Sequence, residues 1–241
     1  MDTMNKENYF WKPLKIDRPA SKTFVWSDTH FGHKCENWDE PLWKKRGFSS
    51  IEDHDDVIIA RWNKTIPRDG VVFHLGDIMF GPNGKERLSN ILDKLQFKTL
   101  YLMGGNHHAG YKSILENAEI INGVCQMPVY RGESYDYQDS IVYFIPNYFE
   151  IFCGGQPFVL SHFPIISFNG QAKGSIMVFG HCHGSLSNSD MGAVYLDETK
   201  VEEVCFESHS HPVSFQYLID KFKNRDNVTY DHHDSNTNNP F

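Results

Sequence analysis

The sequence predicts an α/β domain with two packed sheets and outer helices. The first half of the chain alternates β-prone apolar runs with segments of helical period. The second half contains short apolar runs separated by glycine, proline or asparagine, a pattern typical of strands. We find no internal repeat and no linker-like stretch, so we expect a single domain over residues 1–225.

The first half predicts the order strand, helix, strand, helix, strand. Its strand candidates are short and apolar, and they cover Thr23–Trp26, Val71–His74 and Thr99–Met103. The capping-box spacing of Ser50 and Asp53 predicts the start of the first helix, and a partly apolar stripe follows it. The second helix follows a turn at residues 82–84, where leucines and isoleucine recur with helical period.

The second half predicts four further strands and a final helix. The strand candidates cover Ile141–Ile145, residues 158–160, Ile176–Phe179 and residues 194–196. Residues 212–223 have the pattern of a helix, with Ser214 near its start. We expect residues 1–22 to form an extension that wraps the domain, and the polar residues 226–241 to form a flexible tail.

Net charge, cysteine content and the absence of long apolar runs indicate which classes of binding partner and which compartment to expect. The formal net charge is −8 and the pI is near 5.9, so overall charge does not favour nucleic-acid binding. Five cysteines without a C-x-x-C pair indicate reduced thiols in a cytosol-like compartment. We see no signal peptide and no apolar run that could span a bilayer, so we expect a cytoplasmic protein without a membrane partner.

Side chains typical of metal ligands directly follow five of the strand-like runs. The carboxyl ends of strands in an α/β sheet lie along one edge, so these ends would bring the side chains together. The motifs run from Asp28 to His30, from Gly76 to Asp77, from Gly104 to His108, from Ser161 to His162, and from Gly180 to His183.

The residue types in these motifs suit a pair of divalent cations. Carboxylate, amide and imidazole donors without thiolates favour manganese, iron, zinc or cobalt over a structural thiolate zinc site. A carboxylate can bridge two cations, and metals about 3.5–4 Å apart are the usual clamp for a phosphoryl group and the attacking hydroxide. Any one motif is more often a solvated strand end, so the prediction depends on their joint occurrence.

The motifs resemble those of the calcineurin-like metallophosphoesterase superfamily, whose signature runs D-x-H, G-D, G-N-H-[D/E], H and G-H-x-H. All five blocks occur in order between positions 28 and 183. The sequence around Asp28 and Asp77 is similar to the small single-domain bacterial and phage branch. The resemblance implies a four-layer α/β/β/α sandwich of two mixed sheets with outer helices, located in the cytoplasm of a bacterium or of a phage host.

The resemblance also implies a role for each motif residue. Each metal would have three ligands of its own, namely Asp28, His30 and His183 for the first and Asn106, His162 and His181 for the second. Asp77 would bridge both metals, and His107 would protonate the leaving oxygen or stabilise charge there. The cofactors would be two divalent ions, with manganese expected and iron, zinc, nickel or cobalt as alternatives. A hydroxide that bridges the metals would attack in line.

One position departs from the family pattern. This chain has His108 where the family has the Asp or Glu that orients the preceding histidine. We therefore predict that another partner holds His107, or that leaving-group protonation is weaker. Both His108 and His33 are candidate substrate-binding residues, although His33 could equally anchor a loop.

The remaining histidines and Cys182 are expected outside the chemistry. His74 lies within a strand and is expected to be a core histidine with its hydrogen bonds satisfied. His54 is expected on a helix surface and Cys182 behind the ligands. The late histidines are expected on the solvated surface, with a weak metal site in the tail as the alternative, and they are His209, His211, His232 and His233.

The leading hypothesis is a hydrolase that acts on a small phosphate ester or nucleotide. The small members of the family favour a phosphodiester, and this preference is an analogy. A phosphomonoesterase is the first alternative. A nuclease is disfavoured by the acidic balance and the lack of a basic stripe. A non-catalytic scaffold that retains the fold is disfavoured because every ligand position is filled. The sequence leaves the natural substrate, the physiological metal and the oligomeric state open.

Overall fold

The chain folds into two mixed β-sheets with helices packed against them, as the α/β prediction requires. The structure is a computed structural model that describes residues 13–34, 40–81, 84–107, 119–121, 124–128 and 140–228. None of the helices in these ranges combines the length and the hydropathy that crossing a bilayer requires.

The elements are numbered in chain order within the described ranges. The strands are β1 (Leu14–Ile16), β2 (Thr23–Trp26), β3 (Val71–His74), β4 (Thr99–Met103), β5 (Glu119–Ile121), β6 (Val124–Pro128), β7 (Ile141–Ile145), β8 (Tyr148–Cys153), β9 (Gln156–Ser161), β10 (Ile176–Phe179), β11 (Val201–Glu203) and β12 (Val213–Ser214). The α-helices are α1 (Leu42–Lys45), α2 (Ile51–Thr65), α3 (Gly84–Leu92), α4 (Asp190–Glu198) and α5 (Phe215–Phe222).

The larger sheet has the order β12-β2-β3-β4-β7-β6-β5, and its strands β2, β3, β4 and β7 run parallel. Trp26 is in register with His74, and His74 is in register with Leu102. The residues that follow β2, β3 and β4 therefore begin nearly level, at one edge of the sheet.

The smaller sheet has the order β1-β8-β9-β10-β11, and β9, β10 and β11 run parallel. Ser161 is in register with Phe179, so His162 and Gly180 begin level with each other. A bridge between Ser27 and Cys205 joins the carboxyl ends of the two sheets. The five motif-bearing strand ends consequently lie in the same corner of the molecule.

Three clusters of buried apolar side chains separate the layers. Phe24 and Trp26 project from the larger sheet towards α2 and α3, whereas Val25 between them projects towards the smaller sheet. This alternation follows from the two-residue period of a strand. Phe215 of α5 packs between the sheets, and Tyr195 of α4 packs on the outer face of the smaller sheet. The layers therefore run helices, sheet, sheet, helix.

The predicted helix start at Ser50 is confirmed, because its Oγ accepts the N–H of Asp53 at 3.1 Å. The prediction that His54 lies on the helix surface is wrong. The residue is 1% exposed, because Phe48 and Phe206 cover the ring while Arg46 binds its Nε2.

The predicted strand at residues 194–196 is also wrong, since this run lies within α4. The Ser189 Oγ accepts the N–H of Gly192 and caps the helix, and Val194 is exposed while Tyr195 is buried. A short apolar run fits either kind of element when it is judged by hydropathy alone.

The structure describes more of the N-terminal extension than of the C-terminal tail. Part of the predicted N-terminal extension forms β1, an edge strand that pairs with β8. Residues 1–12 and 229–241 lie outside the described ranges, so the tail stays a prediction.

Candidate metal centre

The loops after β2 and β3 lie side by side and carry the first candidate ligands. The backbone N–H of Asp28 donates to the carbonyl of Gly76 at 3.1 Å, and that of His30 donates to the carbonyl of Asp77 at 3.0 Å. On the smaller sheet, Gly180 donates its N–H to the carbonyl of His162 at 3.1 Å. These bonds continue the strand pairing beyond the strands, and they fix the spacing between the motifs.

Five of the candidate ligands have a left-handed backbone. They are the only non-glycine residues in the described ranges with positive φ, at 50–72°, and they are Asp28, His30, Asp77, His181 and His183. This conformation costs roughly 1–3 kcal/mol per residue and persists where surrounding structure imposes it. Because the strain is confined to these five residues, we infer that the surrounding fold imposes it and thereby fixes the direction of their side chains.

Three motif glycines allow the loops to approach each other closely. A Cβ at Gly105 would lie 2.1 Å from Asp77 Oδ1, and one at Gly180 would lie 2.5 Å from Asp28 Oδ2. At Gly76, a Cβ would lie 2.6 Å from His162 Nδ1. The glycines in these motifs therefore make room for the candidate ligands.

The first donor group consists of Asp28, His30 and His183. Asp28 Oδ1 lies 3.9 Å from His30 Nε2 and 3.8 Å from His183 Nε2, and the two Nε2 atoms lie 3.2 Å apart. Ligands of one ion are roughly 3–4 Å apart, because each lies about 2.1 Å from it. Asp28 Oδ1 is buried without a hydrogen-bond partner among the described residues. The group therefore fits a divalent cation.

The second donor group consists of Asn106, His162 and His181, and Asp77 lies beside it. Asn106 Oδ1 lies 2.7 Å from His162 Nε2 and 3.0 Å from His181 Nδ1. His162 Nε2 lies 3.7 Å from Asp77 Oδ2. Since the Leu75 carbonyl accepts the Nδ1–H of His162 at 2.8 Å, the Nε2 lone pair is directed into the group.

Asp77 lies between the two groups. Its Oδ2 is 3.8 Å from His30 Nε2 in the first group and 3.7 Å from His162 Nε2 in the second. Asp28 is also near both, because it forms a compact cluster with Asp77 and His162. The carboxylates thus occupy the shared part of the site, where a bridging ligand would be needed.

Burial and neighbouring charges shift the pKa values of three candidate ligands away from their ordinary values. Burial raises the pKa of Asp28 to about 6, although the His183 ring opposes that shift. Burial lowers the pKa of His30 well below its ordinary value, so this ring is neutral with a free lone pair. Burial also lowers the pKa of His183, but the hydrogen bond and charge of Glu207 outweigh it and the net shift is upward.

A cavity of about 700 Å³ opens onto both donor groups. His107 faces it with 30% of its side chain exposed, and its Nε2 lies 3.8 Å from Asp77 Oδ2. His33 also lines the cavity but is 1% exposed, and burial lowers its pKa to about 4. Its ring packs edge-on against that of Phe80, with 4.3 Å between the ring centres.

Three residues outside the sequence motifs form hydrogen bonds that hold the candidate ligands or their loops in place. Arg46 and Glu207 are bound to each other beside His183, and the Glu207 Oε1 accepts the His183 Nδ1–H at 2.9 Å. Asn147 binds both the N–H and the carbonyl of Gly105 through its side chain. None of the three lies in a recognisable motif, so only their spatial proximity identifies them.

The remaining predictions concern histidines and Cys182, and some of them are confirmed while others are wrong. His74 is fully buried, as predicted, and its Nε2 lies 3.1 Å from Thr29 Oγ1. The prediction that its hydrogen bonds are satisfied is wrong, because its Nδ1 has no hydrogen-bond partner among the described residues. Cys182 packs against the outer apolar cluster, as expected. The prediction that His209 is a solvated surface residue is wrong, because its Nε2 binds the buried Glu202 at 2.7 Å. His108 lies outside the described residues, as do His232 and His233.

No protein-family model matches the chain. The uncharacterized protein MJ1445 of Methanocaldococcus jannaschii is 26% identical over 91 residues, which cover 38% of this chain and 49% of that protein. The match therefore spans about half the length of that relative. Among solved structures, the protein of unknown function AQ665 from Aquifex aeolicus has a TM-score of 0.54 at 20% identity, over 83% of this chain and 98% of that one. The chain is thus similar to AQ665 in its α/β fold.

Proposed function

We propose that the chain is a metal-dependent phosphoesterase with the metallophosphoesterase fold. The observation that supports this most is the position of Asp77, whose Oδ2 lies within 3.8 Å of a histidine from each donor group, beneath an open cavity. Carboxylate, amide and imidazole donors in that arrangement are typical of binuclear sites that hydrolyse phosphate esters.

Each donor group has a defined task in this proposal. Asp28, His30 and His183 would hold one divalent cation, manganese being the expected one, and Asn106, His162 and His181 would hold the other, with Asp77 between them. Such cations would supply Lewis acidity towards water and the phosphoryl oxygens.

His107 is the proposed proton donor. Its backbone N–H donates to Asp77 Oδ1 at 3.0 Å, which fixes the residue at the edge of the donor groups. Its ring lines the cavity and its Nε2 lies 3.8 Å from Asp77 Oδ2, so a substrate seated on the cations would have its leaving oxygen near this ring. When the ester P–O bond breaks, the Nε2 proton would pass to that oxygen, as in general acid catalysis.

The buried surroundings of the site add to this chemistry. The Asp28 and His30 side chains are almost fully buried, and apolar residues such as Phe206 and Leu42 line the cavity. Low polarity around the site strengthens the attraction between the donors and cations, and bound cations would in turn attract an anionic ester. The proposed substrate is a small phosphodiester of nucleotide type that this cavity could accept.

The test is metal analysis together with hydrolysis assays on the purified chain. We expect about two divalent ions per chain and turnover of bis(p-nitrophenyl) phosphate with added Mn²⁺, faster than turnover of the monoester p-nitrophenyl phosphate. Asp77→Asn should abolish turnover, while the same change at the exposed Asp69 should not. If the wild-type protein binds no metal and hydrolyses neither ester, the scaffold alternative replaces this proposal.

A further inference from the structure

Arg46 connects the loop that carries Asp28 to the carboxylate beside His183. Its side chain is 2% exposed although it follows the short helix α1. Its Nη2 donates to the carbonyl of Asp28 at 2.7 Å, and its Nη1 donates to the carbonyl of Thr29 at 3.2 Å. Its Nε donates to Glu207 Oε1 at 2.9 Å. One planar guanidinium therefore holds two parts of the first donor group in a fixed relation.

Glu207 fixes which ring nitrogen of His183 is available. The same Oε1 that binds Arg46 accepts the Nδ1–H of His183 at 2.9 Å. With its proton on Nδ1, a neutral imidazole presents its Nε2 lone pair, which here points towards Asp28 and His30. A carboxylate in this position also increases the basicity of the ring.

Further contacts with His54 and Phe206 hold the Arg46 side chain in place. Its Nη1 donates to His54 Nε2 at 3.0 Å, so the His54 proton lies on Nδ1 and is donated to Asp55 Oδ1 at 2.8 Å. Its guanidinium also lies 4.6 Å from the centre of the Phe206 ring. With four donated hydrogen bonds and a stacked ring, Arg46 is committed to the protein and has little capacity left to bind a substrate.

We propose that Glu207 and Arg46 are positioning residues that set the affinity of the first donor group for its cation and act little on the second. This inference rests on the proposed function, because it presupposes two metal ions. The second group is oriented by different atoms, since the Leu75 carbonyl binds His162 and the Asn147 side chain holds the loop before Asn106. The two ions should therefore respond differently to changes at Glu207.

The test is a Mn²⁺ titration of the metal-free full chain, with free Mn²⁺ measured by electron paramagnetic resonance. We expect wild type to bind two ions, and Glu207→Gln to bind one of them normally and the other roughly 10–100-fold more weakly. Glu150→Gln is the matched control, because the Glu150 carboxylate likewise accepts hydrogen bonds from two side chains, those of Tyr148 and Asn169. It should bind both ions as wild type does.

A second variant and a stability measurement complete the test. Arg46→Lys keeps the charge but loses the forked geometry, so it should weaken the same single ion. The melting temperature of each metal-free variant separates this effect from general unfolding. Equal weakening of both ions, or unchanged binding in Glu207→Gln, would overturn the inference while leaving the proposed function intact. Failure of wild type to take up any Mn²⁺ would instead overturn the proposed function and the inference with it.

Discussion

The Nε2 atoms of His30 and His183 lie 3.2 Å apart and face each other. The Nδ1 of His183 is bonded to Glu207, and the Nδ1 of His30 is buried without a hydrogen-bond partner among the described residues. One ring can donate a single hydrogen bond to the other, or a shared cation can accept a lone pair from each. The contact thus fits a cation bound between the two rings, which the sequence motifs alone could not show.

Gly105→Ala should abolish metal-dependent turnover. Its Cβ would lie 2.1 Å from Asp77 Oδ1 and 2.7 Å from the Asp77 backbone nitrogen, so the proposed bridging carboxylate must move. Gly47→Ala is the matched control, because Gly47 also has a positive φ but has nothing within 4 Å of the added Cβ. It should lose only about 1–2 kcal/mol of stability through backbone strain. Turnover assays and denaturant unfolding of both variants measure the contrast, and an active Gly105→Ala would contradict it.

His107→Asn should reduce turnover without loss of bound metal. The expected loss is about 10²–10⁴-fold for a diester with an alkyl leaving group, which needs a proton. The loss should be smaller for p-nitrophenyl esters, whose leaving group departs as an anion. Steady-state kinetics on both esters, with metal analysis of the variant, measure the difference. Equal losses on the two esters would argue against a proton-donating role, and the exposed His211 offers a control position for the same substitution.

Asp28→Asn should stabilise the metal-free protein at neutral pH while it impairs metal binding. Burial raises the pKa of Asp28 from 3.8 to about 6, so the ionised carboxylate disfavours the folded metal-free state by at most about 3 kcal/mol. This cost is present above pH 6, declines as the pH falls, and is absent below pH 3.8. With a chelator present, the free energy of unfolding of wild type should therefore rise relative to that of Asp28→Asn as the pH falls from 6 to 4. Identical pH slopes in denaturant unfolding would contradict the prediction.

Glu202→Gln should remove a component of acid sensitivity that is unrelated to the metal centre. Burial raises the pKa of Glu202, but hydrogen bonds from His209 and Lys221 outweigh it, so the pKa lies below its ordinary 4.5. The ionised Glu202 therefore stabilises the folded state above pH 4.5, and this stabilisation is lost as the pH falls through the lowered pKa. The variant should lose on the order of 1–3 kcal/mol at pH 7 and depend less on pH in the acid range. Unfolding curves at several pH values test this, and an unchanged acid slope would refute it.

The strands that position the site were predictable, because each is a continuous apolar run that ends abruptly. Thr23–Trp26 and Ile176–Phe179 are buried at every position, so hydropathy alone identifies them. Edge strands are different. Leu14–Ile16 has side chains that are only partly buried or exposed, and its pairing with β8 is a long-range event that local composition does not encode.

The support around the candidate ligands could not be predicted from the sequence. His54 was expected on a surface, yet it is covered by Phe206, which lies about 150 residues further along the chain. Arg46 and Glu207 belong to no motif, and each looks like an ordinary surface charge until the fold brings them together. The ligands themselves follow strands closely in sequence, so local patterns reveal them, whereas their partners depend on tertiary contacts.

Anomalous diffraction at the manganese absorption edge, from crystals of the full chain grown with Mn²⁺, tests the central claim most directly. We expect two peaks about 3.5–4 Å apart. One peak should contact Asp28, His30 and His183, the other should contact Asn106, His162 and His181, and Asp77 should contact both. A map with no peak among these residues, or with a single peak that does not involve Asp77, would contradict it.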